Sequence, residues 1–329
     1  MPLPAAFARL RLPLIGAPML IVSGPELVIA QCKAGIVGAF PALNAREKDG
    51  QSLDAWLARI EEELDRHNQA NPDRPAAPYA VNHIVHKSNA RLERDLEICE
   101  RRRVPVWITS LGARPEVNAA AHACGGLALH DVASDLHARK AVERGADGLI
   151  ALAAGAGGHG GTRAPFAMVQ EIRAWFDGPL FLAGAIGTGD ALLAALAMGA
   201  DGGYAGSAFI AAEEANADPR YKRMVVEGAA KDILWTGHFA GVPANYLRPA
   251  IAAAGLDPDA LGPGQGVTSF AEDREADRPK AWKDIWSAGH GIGATRAITP
   301  AAETVARLEA EFAAARARLS AQLAALSAD

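Results

Sequence analysis

The stretch AGAIGTGDALLAALAMGADGGYAGS, residues 183–207, holds one complete structural unit and both of its borders. The apolar run PLFLAG (179–184) feeds into it. That run is continuous rather than alternating, as expected of a strand buried on both faces. Thr188 is a candidate helix N-cap, and Gly199 stands where a helix commonly ends on glycine. Gly-Ala-Asp-Gly at 199–202 then leads into the next apolar run. The same tetrapeptide recurs at 145–148, after a helical pattern that starts at Ser134, and again introduces an apolar run. Outward from this unit, similar runs begin at 13, 35, 78, 104, 126, 147, 179 and 201. Eight strand–helix units in about 215 residues predict an α/β fold, a closed (β/α)8 TIM barrel rather than an open doubly wound sheet.

The barrel is expected to occupy residues 1–215. A helical and loop lid segment, 216–298, is expected to return to the barrel mouth; within it, 241–279 is rich in Gly, Pro and Asp. Residues 299–329 read as one C-terminal helix with Val305, Leu308, Phe312, Ala315, Leu319, Leu323 and Leu326 on one stripe. That stripe suits packing along the barrel or, alternatively, against a second subunit in a homodimer. The 329 residues carry a net charge of −5 and no basic block, which argues against nucleic acid as a partner. Cys32, Cys99 and Cys124 are odd in number and lack CxxC spacing, so neither a disulfide framework nor a metal site is expected. A reducing, cytoplasmic setting follows. Arg9, Arg11 and prolines interrupt the apolar N-terminal stretch, so neither a signal segment nor a membrane span is expected there.

In such barrels chemistry sits at the C-terminal strand ends, often with phosphate held after strands seven and eight. Gly184, Gly187 and Gly189 would bring backbone N–H groups to a phosphate, with Thr188 or Asp190 starting a helix whose dipole favours an anion. Gly206 and Ser207 add an N–H and a hydroxyl from the adjacent strand. After strand six comes AAGAGGHGG (153–161), which matches G-x-G-x-x-G. A dinucleotide fingerprint needs a helix to follow directly, and here the next helix starts near Pro165. No G-x-S-x-G exists to supply a nucleophile for an oxyanion hole. The loop therefore reads as an open platform presenting one imidazole, His159, as base or hydrogen-bond donor, with a structural histidine as the alternative.

GAPM (16–19), VN (81–82), AGGHGG (156–161), the segment 183–209 and WSAGHGIG (286–293) occur in the order seen in one family. The chain resembles, over roughly residues 12–295, the FMN-dependent nitronate monooxygenases, formerly called 2-nitropropane dioxygenases. The resemblance implies FMN as cofactor and a small-molecule nitronate and dioxygen as reactants, giving a carbonyl compound and nitrite through a flavin semiquinone. It implies that Pro18 and Met19 line the flavin, that Asn82 bonds its ring system or ribityl chain, and that Gly158 contacts it. Gly184, Ala185, Gly206 and Ser207 would hold the phosphate. His159 would remove the α-proton of a neutral nitroalkane, or stabilise an already anionic nitronate.

The chain departs from the family pattern at several points. Ala151, Leu152 and Ala153 stand where an acidic residue often precedes the glycine–histidine loop. His130 and Asp131 stand where many members carry a lysine beside the flavin, and His130 is the expected replacement. His83, His86 and Lys87 follow strand three, and Gly289-His290 replaces a common AGQ; His83, His86 and His290 are candidate substrate contacts. The same scaffold also resembles FMN-dependent NAD(P)H:quinone and enoyl-thioester reductases, which is the alternative activity. A flavin-free phosphate-binding isomerase or lyase barrel is a second alternative, and a flavin-binding regulatory protein a third.

Overall fold

In a computed structural model the described residues are 4–46, 50–240, 242–262 and 284–327. Eight parallel strands close into a barrel in sequence order: β1 (Leu14–Gly16), β2 (Val37–Pro41), β3 (Tyr79–Ile84), β4 (Val106–Ser110), β5 (Leu127–Val132), β6 (Gly148–Leu152), β7 (Leu180–Ala183) and β8 (Gly202–Ala205), with β8 pairing back to β1. Between them run α1 (Pro25–Lys33), α2 (Leu53–Ala70), α3 (Leu92–Arg101), α4 (Pro115–Ala123), α5 (Asp135–Glu143), α6 (Pro165–Arg173) and α7 (Gly189–Ala197). This is the expected (β/α)8 barrel.

The repeated Gly-Ala-Asp-Gly has a structural cause. Gly145 (φ +90°) and Gly199 (φ +106°) end α5 and α7 in the left-handed region, where a side chain is strained. Each aspartate then ties its strand to the one before. Asp147 donates its N–H to the Ala128 carbonyl and accepts the Ala128 N–H on Oδ2 at 2.8 Å. Asp201 donates to the Leu180 carbonyl and accepts the Leu180 N–H on Oδ2 at 2.9 Å. The aspartates thus set strand register at the bottom of the barrel.

Strand alternation sorts side chains into two layers. Ile15, Val37, Ala80, Ile108, Leu129, Ile150, Phe181 and Tyr204 fill the interior, and Phe7 plugs its lower end edge-on to Phe181. The opposite faces pack against the helices, as Val81, Trp107 and Ala128 do. All three cysteines are free and buried.

Beyond β8 come α8 (Ser207–Ile210), α9 (Pro219–Glu227), an antiparallel pair β9 (Ile233–Thr236) and β10 (Ala244–Leu247), α10 (Arg248–Ala253) and α11 (Ala301–Leu326). Part of the expected lid loop, 263–283, lies outside the described residues. On α11, Val305, Leu308 and Ala315 are buried and Phe312 packs against the same core, whereas Leu323 and Leu326 are exposed. The first half of the stripe is therefore used within the chain. Among the described residues no helix is long and apolar enough to cross a membrane.

Candidate active site

The C-terminal strand ends enclose a cavity of about 780 Å³. That is ample for a ligand of cofactor size with a small substrate. Pro18, Met19, Asn82, His86, His130, Gly158, His159, Gly184, Ala185, Gly206 and Ser207 all line it. The structure therefore brings together nearly all the residues singled out from the sequence.

The loop after β1 is held by a residue that sequence reading missed. Asn44 Nδ2 donates to the Met19 and Ser23 carbonyls, and its Oδ1 accepts the Ile21 N–H at 2.8 Å. These bonds fix Pro18 and Met19 at the cavity wall. The glycine loop is clamped from the far side by another missed residue, Asn245 on β10. Its N–H donates to the Gly158 carbonyl at 3.0 Å and its Nδ2 to the Ala156 carbonyl at 2.7 Å. Ser287 Oγ donates to the Asn245 carbonyl, and Tyr221, stacked on Trp286, donates to the Ser287 carbonyl. The loop that carries His159 is thus braced by segments about 90–130 residues away in sequence. Burial lowers His159 to about 4, so its imidazole is neutral at neutral pH.

At the β7–β8 end the cavity lining includes the Gly184–Ile186 and Gly206–Ser207 backbone and the Ser207 hydroxyl. Gly184 has φ +132°, and a Cβ there would sit 2.8 Å from the Ala154 carbonyl oxygen. Ser207 Oγ accepts the Gly289 N–H at 2.8 Å, which leaves its own proton to donate. The anion-binding helix start expected at α7 is corrected by the structure. Gly189 N–H is taken by Glu311 Oε2 of α11 at 2.9 Å, and Gly187 N–H by the Ala185 carbonyl at 2.9 Å. The positive end of α7 is therefore satisfied by a carboxylate of the chain itself. The elements that line this end of the cavity are Gly184–Ile186 and the Gly206–Ser207 turn.

A polar row crosses the top of the barrel interior. Asn82 Nδ2 donates to Ser110 Oγ at 2.7 Å, and Ser110 Oγ donates to Asp131 Oδ2 at 2.5 Å. Burial pushes Asp131 up to about 7, only partly offset by the Ser110 bond. His130 lies on the other face of β5, with Ala128 and Val132, and its Nδ1 meets the Thr109 hydroxyl. Burial lowers it to about 4, so the cation expected in place of the family's lysine is not supplied by His130.

His83 and His290 are not brought to the cavity. His290 is exposed and packs its ring behind Gly155. His83 shares the helix-facing side of β3 with Val81, against the Trp107 ring at 5.1 Å. Both of its ring nitrogens are buried without a hydrogen-bond partner among the described residues, and desolvation lowers it to about 3. Its unfolded value is near 6.5. The stability it contributes is thus present above about pH 6.5 and lost as the pH falls toward 3, at about 1.4 kcal/mol per pH unit. His83→Phe is expected to fold, to leave the cavity intact and to flatten the acid side of the stability profile by one proton. Urea midpoints at pH 7 and pH 5 check it; an unchanged difference between the two would refute this reading.

The comparisons agree with this geometry. The family model described as nitronate monooxygenase matches residues 3–254. The chain belongs to the nitronate monooxygenase family. It is an enzyme, a flavin-dependent oxidoreductase on a (β/α)8 barrel. A nitronate monooxygenase of Paraburkholderia phytofirmans is 26% identical over 91% of this chain and 92% of its own length. A (3aS,4S,5R,7aS)-5-hydroxy-7a-methyl-1-oxo-octahydro-1H-indene-4-carboxyl-CoA dehydrogenase of Rhodococcus jostii is 26% identical over 72% of this chain and 62% of its own length. Nitroalkane oxidase from Streptomyces ansochromogenes shares the fold, with a TM-score of 0.69 and 24% identity over 94% of this chain and 97% of that one.

Proposed function

We propose that this protein binds FMN in the barrel-mouth cavity and oxidises alkyl nitronates with dioxygen to a carbonyl compound and nitrite. The observation that carries the reading is a single cavity with three unlike ends: an amide-and-hydroxyl end at β7–β8, a polar floor at β3–β5, and a neutral imidazole above them. The first end suits a phosphate, since the φ of +132° at Gly184 and the spare Ser207 proton leave donors without side-chain crowding. The polar floor suits a heteroaromatic ring with its own donors and acceptors. Gly184, Ala185, Gly206 and Ser207 would hold the phosphate. Pro18, Met19, Asn82 and Gly158 would line the ring system, and Val242, Ser287 and Ala288 from beyond β8 also reach the cavity.

FMN, when bound, supplies the electron acceptor and the reaction with dioxygen. The chain's residues do the rest. Neutral His159 can accept the α-proton of a nitroalkane at Nδ1 or Nε2. For a nitronate, which is already an anion, the negative charge raises the imidazole's proton affinity, so His159 stabilises it by donating a hydrogen bond. The Asn245 clamp holds the loop in place, so the imidazole is positioned before substrate arrives.

A second reading is an NAD(P)H-dependent reductase or dehydrogenase acting on a thioester, favoured by the similarity to the Rhodococcus CoA dehydrogenase. Anaerobic mixing separates the two. The flavin absorbance should bleach with propionate 3-nitronate or 2-nitropropane nitronate and stay unchanged with NADH. Rapid bleaching by NADH, with no response to either nitronate, would overturn the nitronate reading.

A further inference from the structure

Asp131 is a departure from the family pattern that the nitronate reading leaves unused. It shares the inward face of β5 with Leu129, whose side chain lies in the barrel core, and it lines the cavity. Its hydrogen bonding is ordered from one side. Asn82 occupies a lone pair of Ser110 Oγ, so the single Ser110 proton goes to Asp131 Oδ2. The other oxygen, Oδ1, is buried and has no hydrogen-bond partner among the described residues. A proton on this carboxyl therefore belongs on Oδ1, where it has no acceptor among the described residues.

The groups facing Asp131 do not force it to ionise. Tyr204 reaches across from β8, and its phenol is raised by burial and by the Asp131 charge. His159 from the loop after β6 and His130 on the neighbouring position are both lowered to about 4, hence neutral. His86, after β3, and His137, Lys140 and Arg144, on or just after α5, line the same cavity. Among the described residues the Asp131 carboxyl accepts a bond from Ser110 and from none of these groups. A buried carboxyl with one neutral donor and no paired charge favours its neutral form.

We propose that Asp131 is a hydrogen-bond donor to the ring system of the bound flavin, positioned by the Asn82–Ser110 pair and acting from Oδ1 in place of the family's lysine. The inference rests on the FMN reading. It makes this site differ in kind from one with a lysine: a neutral donor replaces a permanent cation, and above neutrality the donor becomes an anion. An anion there opposes the negative charge of the reduced cofactor. The carboxyl titrates near pH 7, so the environment of the flavin changes with pH across the neutral range.

The test is a pH titration, from about 5.5 to 8.5, of the visible spectrum of purified FMN-loaded wild type, Asp131→Asn and Asp131→Leu. The wild-type spectrum should shift with one near-neutral transition. Asp131→Asn keeps a donor but cannot ionise. It should retain flavin within a few-fold of wild-type affinity and show no transition. Asp131→Leu should bind flavin about tenfold more weakly, the loss of one hydrogen bond. Should Asp131→Leu not fold, the Asn variant carries the test. A transition that persists in Asp131→Asn, or a wild-type spectrum that never moves, would overturn the proposal. A protein that takes up no FMN at all overturns the flavin reading instead, so the two failures are distinct.

Discussion

His159→Ala is expected to lower turnover of a neutral nitroalkane by about 10²–10⁴-fold while the protein keeps its flavin. The expectation follows from where the imidazole stands. It stands on the loop after β6, whose backbone is held by Asn245, whereas the phosphate would sit on the turns after β7 and β8. Deleting it removes a proton acceptor and leaves the rest of the cavity in place. The loss should depend on the substrate. A nitronate has already lost its α-proton, so only a hydrogen bond to an anion is forfeited, and turnover should fall about 10- to 100-fold. Steady-state rates on matched nitroalkane and nitronate, with flavin content measured alongside, check both statements. Equal losses on the two substrates would show that His159 is not the base, and loss of flavin would make its role structural. The pH dependence carries a sign as well. His159 is lowered to about 4, so the base is in its active, neutral form throughout the neutral range. The part of the nitroalkane profile set by His159 should fall as the pH drops toward 4.

The barrel and the turns that line its upper cavity were legible because both are written in short-range pattern. Asp147 and Asp201 recur within identical tetrapeptides, and each turned out to hold its strand to the previous one. The glycine loop bearing His159 and the Gly184 and Gly206 turns were readable from strand order alone. What escaped was long-range or two-sided. Nothing near α7 announces that Glu311, 122 residues away, satisfies the Gly189 N–H, so that helix start read as an anion site. Asn44 and Asn245 brace loops far from themselves in sequence and look like ordinary loop polar residues until the chain is folded. The histidines of β3 and β5 were hard for another reason. A parallel strand is apolar on both faces, so the run gives no alternation to show which way a polar residue points. Counting from a known interior residue would have placed Asp131 inward with Leu129 and His130 outward with Ala128.

Gly184→Val combined with Ser207→Ala should abolish flavin binding, with affinity falling by more than about 100-fold. Two separate losses add. Valine cannot relax into the φ of +132° at position 184, and its Cβ would press on the Ala154 carbonyl oxygen 2.8 Å away. The β7 turn must then shift, and with it the amides lining the phosphate end of the cavity. Alanine at 207 removes a hydroxyl that lines that end and also takes away the acceptor for Gly289 N–H. Ser207→Ala alone should therefore weaken binding about tenfold, as one charge-assisted hydrogen bond is lost. The barrel itself should survive, since the β7 strand and its pairing to β8 lie below the altered turn. Circular dichroism and flavin-to-protein ratio distinguish loss of site from loss of fold. Thermal unfolding adds a thermodynamic readout: saturating FMN at about 100 times Kd stabilises a binding protein by about 2.7 kcal/mol. Wild type should show that shift and the double variant none. If the double variant retains full flavin and an unchanged thermal response, the phosphate does not sit at Gly184 and Ser207, and the orientation of the cofactor in this cavity must be reversed.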